Sequence, residues 1–198
     1  MSILSNSELH KLVQQVVEST LGDKVVQESK PAASITTPAG DVSASARVIA
    51  IGADHGGYNM KEMLKVYLSE QGHEVIDCGT DSLDSVDYPD IAYRVARKVS
   101  AKEVCCGIII DGAGIGSCIT ANKVPGVRAA MCYDYATAVN SREHNHANVL
   151  TLGAGLIGPS LAKQITDAFL STKFGEGRHA RRVEMIMKIE SRQQVHND

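Results

Sequence analysis

No stretch of this chain approaches the ~18 consecutive apolar residues that a membrane-crossing helix requires. Met1–Ser7 also lacks the basic start and continuous apolar core of a secretory signal. An excess of charge of one sign is missing too. The 20 Lys and Arg against 23 Asp and Glu leave a net charge of −3, which argues against a broad nucleic-acid footprint but leaves room for a local basic site. Five cysteines is an odd number, Cys105 and Cys106 are adjacent, and no CxxC spacing occurs, so neither a disulfide framework nor a structural zinc site is expected. Reduced thiols of a cytosolic protein fit that pattern. No internal repeat is visible. What is present is globular composition, 43% hydrophobic and 22% charged over 198 residues. That length suits one domain with an appendage, since domains cluster near ~100–150 residues.

Three zones differ in composition. In residues 1–22, Leu9, Leu12, Val13, Val16, Val17 and Thr20 recur at helical spacing opposite Lys11, Gln14, Gln15 and Glu18. Ser5 with Glu8 forms a capping box, Leu4 with Leu9 a hydrophobic staple, and Gly22 ends the pattern. So short an amphipathic helix needs a partner for its stripe, either its own domain or oligomer or another molecule. Residues 23–46, rich in Ser, Thr, Ala and Pro and devoid of aromatics, read as a flexible linker.

From residue 47 to 198 apolar strands alternate with helices. Strands are expected at Val48–Ile51, Glu74–Cys78, Gly107–Ile110, Val127–Cys132 and Asn148–Leu152. Helices are expected at Lys61–Glu70, Ile91–Ser100, Ala136–His144, Pro159–Leu170 and Arg181–Arg192, with another running through Asn122. This pattern predicts an α/β fold: a flavodoxin-like, doubly wound, five-stranded parallel sheet in the order 2-1-3-4-5, covered on both faces.

Such sheets bind ligands beyond the carboxyl ends of their strands, at the switch between the first and third. Unusual residues stand at both places: Gly52-Ala53-Asp54-His55-Gly56-Gly57 after the first, Asp111-Gly112-Ala113-Gly114-Ile115-Gly116 after the third. Glycines there can present amides at a helix N-terminus, an anion site. The loop is not the dinucleotide GxGxxG, because its third glycine comes one residue early. Asp111, between Ile110 and a glycine turn, has no packing role and reads as functional. His144 is expected on the same rim. Gly177-Arg178-His179-Ala180-Arg181-Arg182 reads either as a solvated charged face or as a phosphate clamp, for which the arginine fork is suited.

Together with Asp87-Tyr88-Pro89-Asp90, Ala121-Asn122-Lys123-Val124-Pro125-Gly126-Val127-Arg128 and His144-Asn145, these motifs resemble the ribose-5-phosphate isomerase B family, which includes the galactose-6-phosphate isomerase subunits. The resemblance covers about three-quarters of the chain in the family's order. It implies an aldose–ketose isomerase of phosphorylated sugars, acting without metal or cofactor through a cis-enediolate. It further implies that the residue after the third strand, Asp111, is the base that moves a proton between C1 and C2. Amides of Gly112, Gly114 and Gly116 would steady the enediolate oxygen, with Ala113, Ile115 and Ser117 beside the substrate. His144 would open the sugar ring, Asn145 and Asp54 would hold hydroxyls, and Tyr88 would line the cavity. Arg178, Arg182 and His55 would receive the phosphate, and Arg128 and His179 would complete the pocket. Some of these would come from a second subunit of a homodimer, or of a tetramer. Tetrose or hexose phosphates remain alternative substrates, and a sugar-phosphate-binding or scaffold relative the non-enzymatic alternative.

The chain departs from the family pattern where it matters. Asp111 stands where the common branch has cysteine, Ala113 where it has threonine, and Ser117 where another branch has a glutamate base. An aspartate has a free pKa of ~3.9, about three units from an ideal base near neutrality. Its longer side chain is expected to bring the acceptor ~1 Å nearer the substrate. The helix and linker are absent from ordinary family members. They resemble the encapsulation peptides of bacterial microcompartment enzymes, which implies docking of residues 5–21 on shell or cargo proteins.

Overall fold

The computed structural model describes residues 47–194, together with Lys11 and Gln15, both helical and exposed. The rest of the expected helix over 1–22, and the linker over 23–46, lie outside the described residues. The described strands are β1 (Val48–Ala53), β2 (Glu74–Asp77), β3 (Cys106–Asp111), β4 (Ala129–Met131) and β5 (Val149–Gly153). The helices are α1 (Tyr58–Glu70), α2 (Tyr88–Ser100), α3 (Ile115–Ala121), α4 (Tyr135–Glu143), α5 (Pro159–Ser171) and α6 (Arg178–Gln194). Local chemistry sets several boundaries. With Pro89 in its first turn, α2 opens at Tyr88, three residues before its first buried apolar residue, Ile91, and the Asp134–Thr137 capping box opens α4. No described helix is long and apolar enough to cross a membrane.

All five strands are parallel, in the order β2-β1-β3-β5-β4. The expected order 2-1-3-4-5 is therefore wrong in its last two places. Burial explains the exchange. Every residue of β5 is buried, so it needs strands on both sides, whereas β4 is only three residues long, half-buried, and suited to an edge. Strand side chains alternate between two cores. Ile49, Ile51, Ile108, Ile110, Leu150 and Leu152 face α1, α4 and α5, while Ala50, Ile109 and Val149 face α2 and Ala121 of α3. Each fully buried isoleucine or leucine contributes roughly 1.5–3 kcal/mol. On the α2 side, a Cβ at Gly107 would stand 2.6 Å from Val95 Cγ1, so this helix lies close only because the strand has no side chain there.

The register fixes the two rims of the sheet. Asp111 pairs with Gly153 and Ala53 with Ile110 at the carboxyl rim. Gly107 pairs with Val149 and Ala129 with Val149 at the amino rim.

Candidate active site

At the carboxyl rim, β3 runs into Gly112-Ala113-Gly114, and Gly114, with φ +79°, caps α3. Asp111 is 5% exposed, and its carboxylate turns back onto this loop. Oδ1 accepts from the amides of Ala113 (2.8 Å) and Gly114, and Oδ2 accepts from the amide of Ser117 (3.0 Å). A short acidic side chain folding onto its own backbone is ordinary Asx behaviour, favoured here by the positive end of α3.

That geometry corrects three expectations. The side chain does not extend away from its loop but is braced against it, and Oδ2 carries a single amide partner. The amide of Gly114, assigned to the enediolate, is committed to Asp111, as is that of Ala113. Ser117 is fully buried, its hydroxyl has no hydrogen-bond partner, and only its amide is engaged. Among the described residues, the amides of Gly112, Ile115 and Gly116 donate to no protein acceptor, and these three residues reach the surface. They are the donors left for an oxyanion.

The same rim carries the end of β1. Asp54 is buried, and its Oδ1 accepts from the Gly57 amide at 3.0 Å. His55 is exposed, its Nδ1 accepting from the Val86 amide at 3.3 Å. Tyr88, at the start of α2, lies over the loop: a Cβ at Gly116 would stand 2.6 Å from the tyrosine ring. Asp54, His55, Tyr88 and the Asp111 loop thus form one group.

The remaining candidates form another. His144 caps the C-terminus of α4, which runs from the end of β4 to the start of β5. Because β5 is parallel to β3, His144 lies at the amino rim and not beside Asp111. Sequence order places it just before the fifth strand, and in a parallel sheet that position is the far end from the third strand's tip. The five residues of β5 put about 13 Å between the rims, beyond the reach of one side chain. Asn140 Nδ2 lies 3.0 Å from His144 Nδ1. When the amide donates there, Nε2 carries the proton of the neutral ring and is the free acid.

Against His144 stacks His179, centroids 4.3 Å apart and 5° from parallel. Partial burial first, then the neighbouring His144, Arg178 and Arg182, hold the His179 imidazole below the ordinary histidine value. Arg178 Nε is 3.5 Å from His179 Nε2, and the guanidinium-bearing residues 178 and 182 are exposed. Asn145, next to His144 in sequence, is exposed. Arg128 is half-buried at the same rim, its Nε donating to the His146 carbonyl at 2.9 Å. Burial lowers its guanidinium below the usual arginine value. Asn140 is the residue that sequence reasoning missed. Its only signal is i, i+4 spacing from His144, which exposed helical asparagines share without consequence.

A carboxylate, free amides and a tyrosine therefore stand at one end of the sheet, and a histidine pair with two open cations at the other. The sequence model of the family described as Ribose/Galactose Isomerase matches residues 49–186. The chain belongs to this family. It is 46% identical over 144 residues to the ribose-5-phosphate isomerase B of Escherichia coli, covering 73% of this chain and 97% of that one. It is 43% identical over 139 residues to the D-erythrulose-4-phosphate isomerase of Pectobacterium atrosepticum, covering 70% and 91%. The solved ribose-5-phosphate isomerase B of Clostridium thermocellum superposes with a TM-score of 0.73 at 49% identity, over 74% of this chain and 99% of that one. The protein is a sugar-phosphate isomerase of the ribose-5-phosphate isomerase B type, with the five-stranded parallel sheet of its relatives.

Proposed function

We propose that the protein interconverts ribose 5-phosphate and ribulose 5-phosphate through a cis-enediolate, in sites that two copies of the chain build together. The observation carrying this reading is the division of the candidate residues between opposite rims. An isologous pair can bring the carboxyl rim of one copy to the amino rim of the other, twice over.

In such a site His144 Nε2 donates to the ring oxygen of the closed sugar while the anomeric hydroxyl gives up its proton to solvent water, which releases the open aldehyde. Asp111 then removes the proton from C2 and returns it at C1 while the O2 proton passes to O1, so the redox change stays inside the sugar. Its Oδ2 has one amide partner against two on Oδ1 and keeps a lone pair for that transfer. The amides of Gly112, Ile115 and Gly116 face the charge that grows on the sugar oxygen. One such donor is worth roughly 3–4 kcal/mol of barrier. Arg178 and Arg182 take the phosphate, with His179 between them and His144. Asp54 and Asn145 orient hydroxyls, and Tyr88 walls the cavity. His55 and Arg128 complete the phosphate end.

A second reading, a tetrose phosphate, is favoured by the Pectobacterium relative, nearly as similar as the Escherichia one. The two substrates differ in a way that His144 senses. Ribose 5-phosphate closes into a furanose through its O4, whereas a tetrose 4-phosphate has that oxygen esterified and stays open. Turnover of both sugars, with solvent deuterium followed into the product, is measured on wild type and His144→Asn. The pentose reading predicts the higher kcat/KM for ribose 5-phosphate and its loss in the variant. A higher wild-type value on erythrose 4-phosphate, retained by the variant, would establish the tetrose reading instead.

Residues 5–21 we assign to docking on microcompartment shell or cargo proteins. The apolar stripe supports this, as does the family match, which begins only at residue 49. Deletion of residues 1–22 should leave the kinetics intact and abolish co-sedimentation with shell proteins. Slower catalysis would mean that the segment serves the enzyme itself.

A further inference from the structure

Far from the Asp111 loop, where β3 begins, two adjacent cysteines meet two arginines. Cys105 is exposed and Cys106 is 4% exposed, and their sulfurs lie 3.6 Å apart. A small cavity of about 100 Å³ is lined by Arg47, Cys105, Cys106, Arg142, Phe169 and Leu170, room for a carboxylate-sized group. Arg142 is fixed there by a hydrogen bond to the Ala147 carbonyl and by the Phe169 ring, 5.2 Å from its guanidinium carbon. Its Nε is buried and has no hydrogen-bond partner. Arg47 is anchored to the Leu170 carbonyl on the other side. Nothing in the isomerisation uses this cluster.

We propose that Cys105 is a thiol–disulfide exchange site for small disulfides that carry carboxylates. The Cys105 thiolate attacks one sulfur of R–S–S–R, the Cys105–S–S–R bond forms as the R–S–S–R bond breaks, and R–S⁻ leaves with the electron pair. The small disulfide is thus the oxidant, reduced by one thiolate as Cys105 is oxidised. Arg47 and Arg142, both lining the cavity, supply the anion-binding side.

Two features prepare the nucleophile. The hydrogen bond with Cys106 first, and then Arg47 and Arg142 working against burial, lower the Cys105 thiol to about 7. Cys106 moves the opposite way, through that same hydrogen bond and then burial, and so stays protonated as the donor. Cys106 is also the first residue of a strand buried throughout, paired to Ile49 of β1. That ladder opposes the backbone distortion a ring of adjacent cysteines would demand, so the mixed disulfide persists.

The test uses the full-length reduced protein, incubated at pH 7.5 with glutathione disulfide or with the cationic disulfide cystamine and read by intact mass and peptide mapping. The expected result is a single adduct on Cys105, formed about tenfold faster with glutathione disulfide than with cystamine once each is corrected for its intrinsic exchange rate. Arg142→Gln should erase that preference. The pH profile of iodoacetamide alkylation should have its midpoint at about 7 in wild type and move upward in Cys106→Ala, while Cys105→Ser should remove the phase altogether. An adduct on another cysteine, equal rates with both disulfides, or a Cys105 midpoint unmoved by Cys106→Ala would overturn the proposal. These readouts need no sugar substrate and are independent of the isomerase assignment.

Discussion

Replacing Asp111 by asparagine separates the two duties its carboxylate can have. Three amides converge on the wild-type group, and the residue is almost fully enclosed. In Asp111→Asn one oxygen can still accept from Ala113 and Gly114, but the new NH₂ then faces the Ser117 N–H, donor against donor. One charge-assisted hydrogen bond is lost and a buried amide is orphaned, about 2 kcal/mol in all. For a domain of this size that lowers Tm by about 4–8 °C. Asp111→Ala leaves all three amides without an acceptor and should fall further. Catalysis responds on a different scale, because a positioned base contributes about 10²–10⁴-fold. The assay follows solvent deuterium into the sugar phosphate at a temperature where both proteins are folded. Loss of exchange by about a hundredfold or more, with only a modest Tm change, is expected if Asp111 moves the proton. An asparagine variant that stays folded and exchanges within about tenfold of wild type would confine Asp111 to bracing its loop.

Asn140→Leu removes the partner of His144 Nδ1 and leaves the ring free to adopt either tautomer. Turnover of ribose 5-phosphate should fall, by less than in His144→Asn, while deuterium exchange from an open-chain sugar phosphate stays unchanged. His73 offers a pH test of stability. Burial first, then Arg47, holds its imidazole below the ordinary histidine value, so the unfolded chain binds its proton at higher pH than the folded one. Stability from this group is complete above the unfolded value of ~6.5 and is lost as pH falls from there through the lower folded value. Tm measured across that window should drop on acidification, and His73→Gln should flatten the slope; an unchanged slope would remove His73 as its source.

Much of this protein was legible because its chemistry is local. The strands β1, β3 and β5 are short apolar runs that close on Ala53, Asp111 and Gly153, and Ala92, Val95, Ala96 and Val99, which share one face at helical spacing, are buried on α2 together with Ile91. Strand order was less accessible, since β4 and β5 are both brief and apolar and only their relative burial decides which takes the edge. Among the candidate site residues, the rim expected for His144 is the one the fold changes. His144 follows a helix and precedes a strand, and reading it onto the rim of Asp111 ignored that helices between parallel strands return the chain to the opposite rim. The back-bonding of Asp111 escaped for another reason. Whether a short carboxylate reaches outward or folds onto its own loop depends on the φ of Gly114, which no spacing reveals. The Cys105–Cys106 pair read as unremarkable reduced thiols, because Arg47 joins it only through the pairing of β1 with β3 and Arg142 only through the packing of α4.

The central claim is that each active site takes its base from one copy and its acid and cations from another. Subunit exchange between Asp111→Asn and His144→Asn tests it directly. Each variant alone has every site broken. After equilibration of equal amounts, about half of the pairs are mixed, and each mixed pair holds one site with neither substitution. The account predicts that activity on ribose 5-phosphate rises from the sum of the two variants to about a quarter of wild type. A mixture that remains at that sum, with exchange verified by native mass spectrometry, would place both residues in sites of a single chain and contradict the account.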